Sequence, residues 1–147
     1  MKKLLVISVV VVIAIAGHAL VSAQAENERI RQTALDYVEG WYTGDAARME
    51  RALHPDLAKR IVRFDDKWER DRVDNMSAMA LVQSTRKGWG KKTPVEKQQK
   101  DVKILDVYGD IASVRAEMLG WVDYLHIGKV NGEWKIINVL WETKPEE

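Results

Sequence analysis

The chain contains no cysteine, and only one phenylalanine and three prolines are present among its 147 residues. Without cysteine, a disulfide framework and a lipid-anchored amino terminus are excluded. Positive and negative side chains are also nearly balanced, with 23 Lys and Arg against 22 Asp and Glu. Because a nucleic-acid-binding surface ordinarily carries a basic excess on one face, the sequence predicts no nucleic acid partner.

One long apolar run is present, at the amino terminus. Two lysines precede an apolar segment from residue 4 to 16, and small residues follow it. This order is typical of a secretory signal peptide, with cleavage after Ala23 or Ala25. An uncleaved membrane anchor is the alternative, because the run is just long enough to span a bilayer, but the Ala-x-Ala pattern favours cleavage. We therefore expect residues 1–23 to be a signal peptide, and the mature protein to be periplasmic or secreted without stable membrane association.

The rest of the chain has the composition of one domain. A hydrophobic content of 46% and six tryptophans supply enough apolar surface for a core without metal or disulfide support. We predict a single domain over residues 26–143, with no cofactor. His54 and His126 are not spaced like ligands on one helix and are expected to face different ways, so we also predict no metal site.

Apolar residues recur at helical spacing in three segments. The spacing predicts an amphipathic helix over residues 28–42 and a short second helix over residues 46–53. Ser77 has the position of an N-cap for a third helix. Between the second and third helices, residues 57–64 predict a short strand, and the charged run over residues 63–74 predicts a solvated hairpin or loop.

Turn signals divide the last third of the chain into four antiparallel strands. Asn131-Gly132 between two apolar runs is the strongest short-range signal for a two-residue hairpin. Gly109-Asp110 and Leu119-Gly120 predict two further tight turns. The registers that these turns set place Asp123 beside Ala116 in the middle of the sheet.

Strand alternation assigns the side chains of this sheet to two faces. The face predicted to point inward is mainly apolar and contains Leu105, Val107, Ala112, Val114, Ala116, Met118, Trp121, Asp123, Leu125, Ile127, Trp134, Ile136, Asn138 and Leu140. The opposite face is predicted to carry Val122, Tyr124, His126, Ile137, Val139 and Trp141. Because this second face is too apolar for water, we expect a homodimer in which Tyr124, His126, Val139 and Trp141 lie at the interface. Helices on one face of a curled antiparallel sheet predict an α+β domain with a cavity between the layers.

Asp123 is the main functional candidate, because a carboxylate inside an apolar face needs a partner or a function. Desolvation without a cation would poise it as a general acid or base. The alternative is a structural aspartate bonded to a helix amide, an Arg or a Tyr. The other candidate ligand-binding residues are Tyr37, Trp41, Tyr42, His54, Trp121 and Asn138.

Each of these candidates also has a structural interpretation. Tyr37 and Trp41 are as readily explained as core residues, and Asn138 as a satisfied strand residue. The His54 ring either caps the second helix or pairs with Asp123 as acid and base. Lys59 and its neighbour Arg60 are interpreted as solvated charges at a strand end, with anion contacts at the rim as the alternative.

Four segments carry a resemblance to a known family. They are residues 37–45 (YVEGWYTGD), 52–60 (ALHPDLAKR), 121–126 (WVDYLH) and 132–141 (GEWKIINVLW). Together they resemble the putative lumazine-binding family of the nuclear transport factor 2-like superfamily. The resemblance implies a cone-shaped α+β fold, in which a curved antiparallel sheet wraps around a long N-terminal helix and encloses a cavity, commonly as a homodimer. Relatives on this fold include ketosteroid isomerase, scytalone dehydratase, polyketide cyclases and non-catalytic binding modules, so fold does not decide function.

Three hypotheses of function follow. The first is an exported protein that binds a small molecule of unknown identity in its cavity. The second is an isomerase or dehydratase in which Asp123 moves a proton and His54 or Tyr37 polarises an oxygen. The third is a non-catalytic interaction module that works through the outer face of the sheet.

Overall fold

A computed structural model describes residues 2–145 of the chain, with side chains from residue 22 onward. The predicted signal peptide lies almost wholly outside the residues whose side chains are described, so it stays a prediction. Among the residues whose side chains are described, no helix is both long enough and apolar enough to cross a membrane.

Three α-helices and six β-strands form the described part of the chain. The helices are α1 (Lys2–Thr43), α2 (Ala46–Ala52) and α3 (Ala78–Arg86). The strands are β1 (Leu53–Asp65), β2 (Arg70–Ser77), β3 (Asp101–Tyr108), β4 (Ile111–Met118), β5 (Trp121–Val130) and β6 (Glu133–Thr143). Two 3₁₀ helices, Trp89–Lys92 and Val95–Lys97, connect α3 to β3. The predicted order of helices and strands is confirmed except that two strands, β1 and β2, and not one, separate α2 from α3. Ser77 is the N-cap of α3, where its hydroxyl accepts a hydrogen bond from the Ala80 N–H.

The strands form a single sheet in the order β2-β1-β6-β5-β4-β3. All neighbours are antiparallel except β1 and β6, which run parallel. The four predicted strands are β3 to β6. The charged run forms the tip of an exposed β1–β2 hairpin, which is one of the two predicted alternatives. The α+β class and the sheet around a long N-terminal helix are therefore as expected.

Two β-bulges change the register that the turns predicted. In the β3–β4 pair, Ile104 lies opposite Val114, and Leu105 is exposed rather than inward. In the β5–β6 pair, Ile127 lies opposite Ile136 as predicted, but the next pair is His126 with Asn138. A bulge sets two residues of one strand against one residue of its partner, so the side chains beyond it exchange faces.

Because of the bulge in β6, four side chains face the side of the sheet opposite to the one predicted. Val139 is buried and Trp141 points inward, whereas both were predicted on the outer face. Leu140 is 57% exposed, and Asn138 lies opposite the exposed His126, so these two residues are on the outer face rather than the inner one. The prediction was wrong here because it continued a strict alternation through Ile137, the extra residue of the bulge.

An ionic cluster fixes α2 against α1. Asp36 on α1 is buried, and its carboxylate accepts hydrogen bonds from Gln32 Nε2 at 3.0 Å, Arg48 Nε at 2.8 Å and Arg51 Nε at 3.1 Å. Burial alone would raise the pKa of Asp36, but the bonds from the two arginines and Gln32 outweigh burial and lower it.

Candidate functional site

Three side chains form a closed polar cluster inside the apolar core. Asp123 on β5 is 0% exposed and lies beside Ala116, as the register predicted. Lys59 Nζ donates to Asp123 Oδ1 at 2.6 Å and to the Tyr37 hydroxyl at 2.7 Å. Tyr37 in turn donates to Asp123 Oδ2 at 2.7 Å. Both carboxylate oxygens are therefore bonded, one by an ammonium and one by a phenol.

Each of these three residues reaches the cluster from a different element. Tyr37 belongs to the buried face of α1. Lys59 lies on β1 between Leu57 and Ile61, whose side chains are also buried, so strand alternation carries it inward. Asp123 is held in the middle of the sheet by its neighbours on β4 and β6.

The bulge in β6 adds an aromatic ring to the cluster. Trp141 lies opposite Asp123, and its ring centroid is 4.8 Å from Lys59 Nζ. The Tyr37 ring centroid is 5.4 Å from the same nitrogen. A buried ammonium gains cation–π attraction from such rings, which offsets part of its desolvation.

Burial shifts the ionisation of two members of the cluster. Burial lowers the pKa of Lys59, and the attraction of the Asp123 carboxylate opposes this change without cancelling it. Burial also raises the pKa of Tyr37 well above its ordinary value, and the charge of Asp123 adds to the effect. Tyr37 is therefore a neutral phenol at physiological pH and donates to Asp123.

A cavity of about 210 Å³ lies against this cluster. Its lining is almost wholly apolar and consists of Tyr37, Trp41, Met49, Lys59, Met76, Leu81, Trp89, Met118, Trp121 and Trp141. Asp123 does not line the cavity, because Lys59 and Tyr37 lie between the carboxylate and the open volume. Lys59 is the one charged side chain in this lining.

Trp41 and Trp121 form one wall of the cavity. Their rings meet edge to face, with centroids 6.1 Å apart and an interplanar angle of 82°. The 3₁₀ helix Trp89–Lys92 closes over Trp41, and a Cβ at Gly90 would lie 2.2 Å from the Trp41 carbonyl oxygen. Only glycine permits this approach. Trp89 is 52% exposed and lies at the mouth of the cavity.

Three predicted site residues lie outside the cavity. Tyr42 is buried, and its hydroxyl donates to the Gln99 carbonyl at 3.0 Å and accepts from the Leu119 N–H at 2.9 Å, so it joins α1 to the sheet. His54 lines a separate surface cleft, where its Nδ1 accepts a hydrogen bond from the Asp56 N–H at 3.2 Å. The functional alternative, in which His54 pairs with Asp123, is therefore wrong, because Lys59 and Tyr37 are the partners of that carboxylate.

Asn138 is the third of these residues. It lines a depression on the outer face together with His126. It was predicted opposite Leu125, on the same inner face as Asp123, and the β6 bulge is the reason that it faces away.

Sequence reasoning missed Lys59 and Trp141 as members of the site. The signal for Lys59 was present, since apolar Leu57 and Ile61 flank it at strand spacing. Ala58 and Val62 are apolar too, so alternation alone did not distinguish the two faces. Trp141 had no such signal, because its orientation depends on the bulge.

The fold is that of the nuclear transport factor 2-like class. Residues 25–142 match the family described as "Putative lumazine-binding", and the chain belongs to that family. Membership of this family points to a small-molecule ligand. A comparison with curated proteins gives no match.

Solved structures similar to this chain share its fold. A nuclear transport factor 2-like protein from Shewanella baltica is 20% identical, with a TM-score of 0.66 over 83% of this chain and 96% of that chain. Another, from Silicibacter pomeroyi, is 16% identical, with a TM-score of 0.62 over 83% of this chain and 98% of that one. A nuclear transport factor 2-like protein with a cystatin-like fold, from Novosphingobium aromaticivorans, is 14% identical. Its TM-score is 0.63 over 88% of this chain and 89% of that chain.

Removing one charge from the buried cluster should cost more than removing both. Lys59→Met leaves the Asp123 carboxylate buried without a cation, and we expect the free energy of unfolding to fall by about 3–5 kcal/mol. The double variant Lys59→Met/Asp123→Leu should be more stable than Lys59→Met alone. Tyr37→Phe removes one donor and should cost about 1–3 kcal/mol.

Urea denaturation followed by tryptophan fluorescence measures all of these values. Lys67→Met removes an exposed lysine and serves as the matched control, with an expected change within about 0.5 kcal/mol. A Lys59→Met variant as stable as this control would contradict the assigned ion pair.

Proposed function

We propose that this protein binds a neutral, largely apolar aromatic molecule in its internal cavity. The observation that carries the proposal is the cavity of about 210 Å³, whose lining combines four tryptophans and three methionines with a single charged side chain. Pockets that bind small molecules are mostly apolar, with a few convergent polar groups that orient the ligand.

The lining determines the class of ligand. Indole rings present faces and edges for aromatic contact, and methionine side chains adapt to irregular shapes. The polar groups nearest the cavity, Lys59 Nζ and the Tyr37 hydroxyl, are already bonded to Asp123. Two donors of the lining remain, the third N–H of the Lys59 ammonium and the buried Trp41 Nε1–H, which has no partner among the described residues. A charged ligand would lose its hydration for these few partners, so we expect a neutral compound of about the size of a bicyclic aromatic.

The family's name raises lumazine as a candidate, and the lining argues against it. Lumazine carries ring amides and carbonyls that require several hydrogen-bond partners when they are buried. The cavity offers few such partners, because Asp123 occupies those of Lys59 and Tyr37. We therefore expect a less polar ligand.

A proton-transfer enzyme, such as an isomerase or dehydratase, is the second candidate function. The observation in its favour is that Asp123 contacts two titratable groups, Lys59 and Tyr37. In this case these two residues, and not His54, would lie between the carboxylate and the substrate. Exchange of the α-protons of a bound ketone with D₂O, followed by proton NMR, tests this candidate and should disappear in Asp123→Asn.

The outer face of the sheet supports a homodimer. Tyr124 and Leu140 are paired across β5 and β6 and are 51% and 57% exposed. Val62 and Val73 continue the same apolar face on the β1–β2 hairpin. We propose that a second copy of the chain covers this face, with the neighbouring His126 at its edge. Val139 and Trp141, which were predicted for the interface, point inward instead.

Export through cleavage after Ala23 or Ala25 completes the proposal. Its support is the order of the first residues, two lysines followed by an apolar run and then small residues. The mature domain would then occupy residues 26–143 and lie in the periplasm or outside the cell.

Occupation of the cavity can be tested with 2-methylnaphthalene, a neutral bicyclic aromatic. We expect it to quench tryptophan fluorescence saturably, and lumazine to bind more weakly. Met76→Trp fills the cavity from β2 and should weaken binding by about tenfold or more. Met79→Trp adds the same group at an exposed position nearby and should leave binding unchanged. Equal affinity in the two variants, or no saturable quenching in the wild type, would refute the proposed site.

Native mass spectrometry of the protein expressed with its own amino terminus tests export and assembly together. The periplasmic or secreted form should begin at Gln24 or Glu26 and should have the mass of a dimer. Leu140→Glu places a charge on the outer face and should yield monomers, because an unpaired carboxylate at a covered apolar surface is costly. Leu119→Glu alters an exposed residue of the β4–β5 turn and should remain dimeric. A full-length cytoplasmic monomer would contradict both the proposed export and the proposed dimer.

A further inference from the structure

Lys59 has the chemical surroundings of a reactive amine. Its side chain is only 7% exposed, and it lines the aromatic cavity while its nitrogen contacts a carboxylate and a phenol. The ion pair with Asp123 does not by itself require that the Lys59 side chain also line an open cavity. The juxtaposition of amine, acid and open volume therefore calls for a chemical explanation.

We propose that Lys59 forms a reversible imine with a small aromatic aldehyde or ketone bound in the cavity. This inference rests on the proposed function, since it names the functional group of the ligand and the atom that captures it. The aromatic part of the ligand would lie among the tryptophans, with its carbonyl carbon toward Lys59 Nζ.

The contacts around Lys59 supply the proton transfers that such a step requires. The ammonium first gives a proton to Asp123, which lies 2.6 Å away and becomes a carboxylic acid. The neutral amine then attacks the carbonyl carbon, and its own proton moves to the oxygen, which yields a carbinolamine. Asp123 returns its proton to the hydroxyl, water leaves, and a protonated imine remains.

Charge is conserved in this sequence of steps. One ammonium and one carbonyl compound become one iminium and one water, and Asp123 is again a carboxylate. The iminium N–H keeps the ion pair with Asp123, while Tyr37 continues to donate to the other carboxylate oxygen. The buried charge is therefore never left without a partner, which would be the main energetic obstacle to such chemistry in an apolar core.

Burial favours Lys59 over the surface lysines as the site of reaction. It lowers the pKa of this amine, so the nucleophilic neutral form is more accessible than in an exposed lysine. The charged or titratable groups that face it are Asp123 and Tyr37, and Arg63 lies over the Trp141 ring at 5.7 Å. The apolar walls also keep water from the imine and so slow its hydrolysis.

Reductive trapping on the mature protein tests the inference. The protein is incubated at neutral pH with 2-naphthaldehyde and sodium cyanoborohydride, which reduces an iminium much faster than the free aldehyde, and the modified residue is located by peptide mass mapping. We expect one naphthylmethyl group on Lys59 before the exposed Lys67 and Lys91 react, and an excess of 2-methylnaphthalene should suppress it. These exposed lysines are internal controls for general amine reactivity.

The variant Asp123→Asn leaves the Lys59 amine in its neutral, nucleophilic form but removes the acid that protonates the carbinolamine hydroxyl. Loss of water, and with it trapping at Lys59, should therefore slow by about 100-fold. Circular dichroism tests whether that variant folds. If the variant does not fold, suppression of the Lys59 adduct by 2-methylnaphthalene in the wild type still tests whether the adduct forms in the cavity. Binding of 2-methylnaphthalene without an adduct at Lys59, or unselective modification of surface lysines, would overturn the imine and leave the binding function intact. Failure of 2-methylnaphthalene to bind, with no adduct at Lys59, would overturn both the imine and the proposed binding function.

Discussion

The structure depends on one buried ion pair, between Lys59 on β1 and Asp123 on β5. Both side chains are withdrawn from water, so each would destabilise the fold strongly without the other. Their contact also requires that β1, β5 and α1 meet with fixed registers, because Tyr37 completes the hydrogen bonds of the carboxylate. The polar cluster thus ties the hairpin side of the sheet to its centre and to the long helix, and the cavity lies where these elements meet.

The bulge at Ile137 has consequences on both faces of the sheet. Inside, it turns Trp141 over the Lys59 ammonium and makes this ring part of the cavity wall. Outside, it exposes Leu140 beside Tyr124 and creates the apolar surface for which we propose a second copy of the chain. One extra residue in β6 therefore shapes the cavity and the outer surface together.

Much of the fold was accessible from the sequence, because local signals agreed with the tertiary structure. Helical spacing, the Asn131-Gly132 turn and the placement of Asp123 beside Ala116 were all predicted correctly. The bulge was not, since no glycine or proline marks Ile137, and a register shift is decided by packing across the sheet. Lys59 was assigned to solvent because its charge outweighed its position between two apolar residues, although a buried carboxylate elsewhere in the chain requires such a partner.

The ionisation of Lys59 is the most direct test of this account. NMR titration of the lysine side-chain amines should place the pKa of Lys59 below the ordinary value of a lysine, because burial disfavours the ammonium. In Asp123→Asn the pKa of Lys59 should fall further, because the carboxylate is the group that raises it. A Lys59 amine that titrates with the exposed lysines, and whose pKa does not respond to the loss of Asp123, would contradict the buried ion pair.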